Sequence, residues 1–179
     1  MTADDASPVD LALQSAVLEV EAQASDSGWD QPSRLFALVR TDELAAAEPE
    51  LAAELGIHDG SAQLLTPVEQ ELDEHRGPLE ELLGRITWPQ AVEGALAVVE
   101  RVVLPPEVED QVPDSPTEAA QFAVGHAQRE DVRIAAGVLR TGESHCVLRL
   151  RSHDSDDALL HGGDVVPGLV EALRETLEP

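Results

Sequence analysis

The residues best equipped for chemistry stand together near the C-terminal end, in Arg149-Leu150-Arg151-Ser152-His153-Asp154-Ser155-Asp156-Asp157, with His161 and Asp164 just beyond. Carboxylates and imidazoles this close are the oxygen and nitrogen donors that divalent metals take. The run lacks the glycine and the distal glutamate of a calcium loop, and the chain has no His-Glu-x-x-His pair. A solvent-facing acidic loop after a strand is therefore the first reading and a metal the lesser one. Arg149 and Arg151 lie two apart, which on a strand places both guanidiniums on one face. Two guanidiniums there can grip a carboxylate or a phosphate. Against that stands internal pairing, in a chain with 11 basic and 36 acidic residues. The candidate ligand-binding set is Arg149, Arg151, His153, Asp154, Asp156 and Asp157. No residue is assigned a catalytic role, and no metal or other cofactor is expected.

Other chemistry is harder to place. His145 beside Cys146 puts the two side chains on opposite faces of a strand, so they cannot form a catalytic pair with each other. Cys146 reads as a small core hydrophobe. Gly60-Ser61 and Gly162-Gly163 are turn signals without the spacing of a phosphate-binding loop. No serine sits in Gly-x-Ser-x-Gly.

The elements that must position these residues are legible from periodicity. Leu13, Val17, Val20 and Ala24 recur at helical spacing after Asp10, a cap, and the helix should end around Asp26–Gly28. Residues 34–40 form a short apolar run between two arginines, a buried strand. A second helix from Thr41 or Asp42 carries Leu44, Leu51 and Leu55, and Pro49 must break or restart it. Residues 57–76 are polar and acidic and read as mobile loop. Pro78 opens a brief helix with Leu79, Leu82 and Leu83, ending near Gly84.

Residues 95–104 make the best strand, apolar on both faces except at Glu100 and Arg101, hence central. Ser115-Pro116-Thr117-Glu118 has the pattern of a capping box, opening a helix that buries Ala119, Phe122 and Ala123. Residues 132–140 and 144–151 flank Thr141-Gly142 as a hairpin. A last helix starts at Asp164 or nearby, with Leu169, Leu173 and Leu177 on one stripe. The order α-β-α-α-β-α-β-β-α gives an α+β fold, a mixed or antiparallel sheet of at least four strands covered by amphipathic helices. Residues 1–8 read as a disordered tail and 9–179 as a single domain.

Bulk properties bound the function. The chain has 179 residues and a formal net charge of −25; every basic residue is arginine, and neither lysine nor asparagine occurs. A chain of this length buries roughly 70% of the surface it would expose unfolded. Aromatics are 2% of the residues, so the core must be aliphatic. One cysteine excludes an internal disulfide. The acidic N-terminus has no signal-peptide character, and no apolar run reaches the ~20 residues of a membrane span, so the cytoplasm is the expected compartment. The charge opposes binding to nucleic acid and to anionic membranes.

Scarcity of the residues with AT-rich codons suggests a high-GC bacterium, with a halophile as the rival explanation. Several strings point the same way: residues 28–32 (Gly-Trp-Asp-Gln-Pro) leading into 34–39, Leu65-Thr66-Pro67-Val68-Glu69-Gln70, Trp88-Pro89, residues 100–106 and residues 149–157. Together they resemble an uncharacterised family of acidic actinobacterial proteins labelled by the locus tag of its founding propionibacterial member. That resemblance implies a lineage and no particular activity. The residues themselves favour a non-enzymatic protein-binding, adaptor- or chaperone-like domain with a basic protein partner. The alternative is a small-molecule-binding domain or enzyme using residues 149–157.

Overall fold

The computed structural model describes residues 6–58, 64–72, 78–163 and 165–179. Its elements, in chain order, are α1 (Pro8–Asp26), β1 (Arg34–Arg40), α2 (Thr41–Ala47), α3 (Pro49–Glu54), β2 (Leu65–Gln70), α4 (Leu79–Leu83), β3 (Val92–Val103), α5 (Pro116–Gly125), β4 (Glu130–Leu139), β5 (Ser144–Leu150), β6 (Leu160–Gly162) and α6 (Pro167–Thr176). The strands form one six-stranded sheet in the order β2-β1-β3-β4-β5-β6. Every neighbouring pair is antiparallel. The fold is thus α+β, with β3 and β4 at the centre.

Alternation along the strands divides the core in two. Leu35, Ala97, Val99, Ile134, Ala136 and Cys146 point to one face, under α4 and α6. Phe36, Leu38, Leu96, Val98, Ala135 and Val147 point to the other, under Leu13, Val17, Val20 and Ala24 of α1. Both faces are covered, which is why the central strands read as continuous apolar runs.

Several local expectations need correction. Asp10 is not the cap of α1 but the third residue of a capping box: Ser7 accepts from the Asp10 N–H at 3.2 Å, and Asp10 accepts from the Ser7 N–H at 3.1 Å. The start of the helix thereby takes in Ser7 and Pro8, which the sequence assigns to a tail; residues 1–5 of that tail lie outside the described residues. Replacing Ser7 with Ala should cost about 1 kcal/mol, read as a small downward shift of the urea midpoint at unchanged slope.

The 57–76 segment is not loop throughout. It contains β2, an edge strand recruited by pairing with β1 although Pro67 removes one donor from its ladder. Residues 59–63 and 73–76 of that segment lie outside the described residues. Pro49 does divide the second helix, giving α2 and α3. Ser115 caps α5 by position but makes no side-chain cap bond, and α5 buries no residue fully; Ala119, Phe122 and Ala123 are only half-buried. The last helix begins at Pro167 rather than at Asp164, which is not among the described residues.

The hairpin joins β4 to β5 through Thr141-Gly142, where Gly142 has φ +108°, a conformation that residues with a side chain rarely adopt. Beside it, Arg140 donates to the carbonyls of Val92 (2.7 Å), Trp88 (3.1 Å), Pro89 (3.0 Å) and Leu177. The Trp88 indole donates to Thr176 at 2.9 Å. These bonds fasten the C-terminal end of α6 to the start of β3.

Candidate functional site

Under the C-terminal end of α1 the apolar face of the sheet gives way to charge. Glu100 on β3 lies opposite Arg133 on β4, and Arg133 lies opposite Arg149 on β5. This makes a row of ionisable residues across three adjacent strands. Because side chains alternate, all three share the face covered by α1.

Arg149 is buried and so is its principal partner, Glu21 of α1. The Arg149 Nε donates to Glu21 Oε1 at 2.6 Å, and Nη2 donates to Glu21 Oε2 at 3.0 Å. The same guanidinium reaches Asp154 at 3.1 Å and Asp156 at 2.7 Å. These charge-assisted bonds, led by the one to Glu21, hold Arg149 firmly protonated.

Trp29 links this pair to the rest of the row. Its indole donates to Asp154 at 2.9 Å, and its ring lies 4.4 Å from the Arg133 guanidinium and 5.4 Å from that of Arg151. Arg133 also donates to the Gly28 carbonyl and sits 3.4 Å from Glu100. Arg151 donates to both carboxylate oxygens of Asp30 at 3.1 Å and to Asp131 at 3.2 Å. Asp30 adopts φ +64°, its N–H donating to Glu100 at 2.8 Å. The Gly28–Asp30 turn is thereby clasped onto the central strands.

Of the six sequence candidates, Asp154 and Asp156 meet Glu21's partner Arg149 at its guanidinium, and Arg151 joins them through Trp29. His153 and Asp157 stay outside at the surface. The His153 Nδ1 lies 2.8 Å from Ser152 Oγ, whose hydroxyl in turn donates to Glu130 at 2.7 Å. The order is carboxylate, hydroxyl, imidazole, so Ser152 gives its proton to Glu130 and is not activated as the serine of a catalytic triad is.

Three carboxylates here titrate below their ordinary values. Asp154 titrates below its ordinary value chiefly because Trp29 donates to it, Asp30 because Arg151 does, and Asp157 because Ser155 does. None of these three is poised as a general acid near neutral pH. The sign for stability follows: their contribution is complete above the unfolded carboxylate range near 4 and is lost as pH falls through the lower folded values. Far-ultraviolet circular dichroism across an acid titration should show the Trp29→Phe variant, which lacks the indole donor, unfolding at higher pH than the parent.

Sequence reading missed Glu21, Trp29, Glu100 and Arg133 as members of one cluster. The available signal was charge at positions that periodicity buries: Glu21 on the helical stripe, Glu100 and Arg133 inside the two best strands. Elsewhere His145 and Cys146 do point to opposite faces, and Cys146 lies in the core. His145 sits 5.7 Å, ring to ring, from His161, and burial lowers its pKa. Among the described residues no three His, Cys, Asp or Glu side chains converge as a metal site.

Two cavities lie away from residues 149–157. A pocket of about 240 Å³ is lined by Arg34, Glu69, Glu100, Arg133 and the end of α1. The Arg34–Glu69 pair there is bidentate, at 2.7 and 2.8 Å. A larger cleft of about 610 Å³ opens between the first turn of α1, α2, the entry to β2 and the β4–β5 hairpin. Val9, Ala12, Ile57, Leu64, Leu65 and Leu139 give it apolar walls, and Arg40, Asp42, His58 and Glu93 supply its ionisable groups.

An open antiparallel sheet with helices on both faces, and with a charged clasp in place of part of one core, defines an α+β protein. The chain belongs to the PPA1309-like protein family, whose model matches residues 13–178. This is the locus-tag family that the sequence resembled. No curated protein and no solved structure matches the chain. Among the described residues no helix is long and apolar enough to cross a membrane.

Proposed function

We propose that the protein is a non-enzymatic protein-binding domain, adaptor- or chaperone-like, that engages a basic partner through its acidic surface. The observation that carries this reading is where the positive charge goes. Arg34, Arg40, Arg101, Arg129, Arg133, Arg149, Arg151 and Arg174 are all in ion pairs within the fold. Arg140 is engaged by backbone carbonyls. Among the described residues Glu21 is the one carboxylate that is buried. Among the described residues the carboxylates in excess of these arginines therefore lie at the surface, and in a chain of net charge −25 such a field accelerates encounter with a positively charged surface. Nucleic acid and anionic membrane would meet repulsion instead. A small-molecule or enzymatic use of residues 149–157 would require Arg149 and Arg151 to exchange internal carboxylates for a ligand.

Affinity capture from a native lysate, eluted along a salt gradient, tests the reading. The retained proteins should be shifted to high isoelectric point and should leave in a few hundred millimolar salt, where the screening length falls well below 8 Å. A retained set no more basic than the lysate would sink it. The same charge predicts that the melting temperature at pH 7 rises with salt, because screening relieves repulsion among carboxylates. A fall would mean that attractive pairs dominate the surface.

A further inference from the structure

We infer that the 610 Å³ cleft is the docking site for the partner, and that it takes a short amphipathic segment presenting apolar side chains flanked by lysine or arginine. This rests on the reading above and gives it a place. The volume lies within the ~300–1,000 Å³ of ordinary binding pockets. Val9 and Leu64, both on the lining, are among the large apolar side chains left exposed, at 43% and 56%. An apolar ligand would cover them.

Charge selects what surrounds that apolar anchor. Arg40 is already neutralised, donating to both oxygens of Asp42 at 3.2 and 2.9 Å and lying 3.4 Å from Glu43. Glu93 lines the same cleft, and among the described residues its side chain makes no hydrogen bond or ion pair, although its backbone carbonyl accepts from the Arg140 N–H at 2.9 Å; its carboxylate influences Arg40 only through the longer-range field. The arginine cannot attract an anion while two carboxylates hold it, and Glu93 is left to receive a cation. Apolar walls with an uncompensated carboxylate beside them complement the apolar face and basic flank of an amphipathic segment, the helix-in-groove mode of peptide recognition. A second copy of this chain is a poor occupant, since it would bring another −25 charge to the same face.

The experiment uses the full chain and a fluorescein-labelled synthetic peptide with leucines at helical spacing and lysines between them. A peptide of equal charge with serine in place of leucine is the control. Binding is read by anisotropy at physiological salt. Ala46→Trp fills the mouth of the cleft from an exposed position on α2, and Glu93→Arg reverses the unpaired charge. Glu118→Arg, on exposed α5 far from the cleft in sequence, makes the same change in net charge. Circular dichroism confirms that each variant is folded, with Glu93→Gln as a milder replacement if Glu93→Arg is not.

The leucine–lysine peptide should bind, and Ala46→Trp and Glu93→Arg should each weaken it about tenfold, equivalent to roughly 1.4 kcal/mol. Glu118→Arg should change it less than twofold, and the serine–lysine peptide should bind more weakly to the parent. Equal, salt-sensitive binding of both peptides by parent and cleft variants would overturn the cleft while leaving an acidic partner surface intact. No binding of the leucine–lysine peptide would also overturn it, and the lysate capture then decides the broader reading separately. Sedimentation showing a dimer that Ala46→Trp dissolves would assign the cleft to self-association and overturn the proposal as well.

Discussion

Replacing Arg149 with Met should destabilise the fold by about 3–5 kcal/mol, the range for breaking a buried ion pair from one side. The change leaves the Glu21 carboxylate buried beneath α1 with no guanidinium against it, and removes the one cation that Asp154 and Asp156 share. Neither partner of the central pair is open to solvent: the Arg149 side chain is 3% exposed and that of Glu21 is 1%. Solvent screening therefore does not soften the loss. For a chain of this size the shift should be a fall in melting temperature of roughly 10 °C. Glu21→Leu combined with Arg149→Met should recover most of the loss, since two apolar groups in contact leave no charge stranded. A chemical-denaturation cycle over the parent, both single variants and the double variant measures that coupling. If the double variant were as unstable as the sum of the singles, the pair would not act as a unit, and the cost would come from the packing of each stem.

Gly94→Ala should cost about 3 kcal/mol, the upper part of the usual range for overpacking a filled core. A Cβ at this position would stand 2.4 Å from the Val138 carbonyl oxygen and 2.6 Å from Leu139 Cδ2. The first obstacle is backbone of the neighbouring strand and has no rotamer in which to escape. Gly94 lies opposite Leu38 on one side and Leu139 on the other, at the β1–β3–β4 junction where the β1–β3 register shifts. The alanine variant must therefore move β3 against β4 or abandon the pairing at that end. The denaturant midpoint should fall, and amide exchange should quicken in residues 92–96 ahead of the rest of β3. Gly125→Ala, whose added Cβ meets nothing within 4 Å, is the matched control and should be close to neutral.

The comparison between the two positions shows what kind of information lies where. Gly94 is visible in the sequence only as the start of an apolar run, a boundary. Its importance comes from a carbonyl 44 residues away in the chain, between Gly94 and Val138, brought to it by pairing. Trp29 is similar. In the sequence it stands just past the expected end of α1, and the fold makes it the surface on which Arg133 and Arg151 rest.

The sequence by itself determined much of what depends on neighbours within a few residues, though not which residue caps α1. The helical stripe of Leu13, Val17, Val20 and Ala24, the break at Pro49, the hairpin at Thr141-Gly142 and the class of fold all follow from local periodicity and from the backbone limits of proline and glycine. It also determined the charge, and with it the sign of any electrostatically guided partner. Tertiary structure decided what depends on strands meeting. Leu65–Gln70 becomes β2 because β1 offers it a ladder, despite a proline and a composition that reads as loop. Ser115 caps a helix without its side-chain bond, and α5 buries no residue fully. Arg149 was a candidate for gripping a ligand, and only the packing of α1 across β5 brought Glu21 to it. The cleft belongs to the same category: its walls come from six separated stretches of chain, and no local spacing encodes a space that exists only between them.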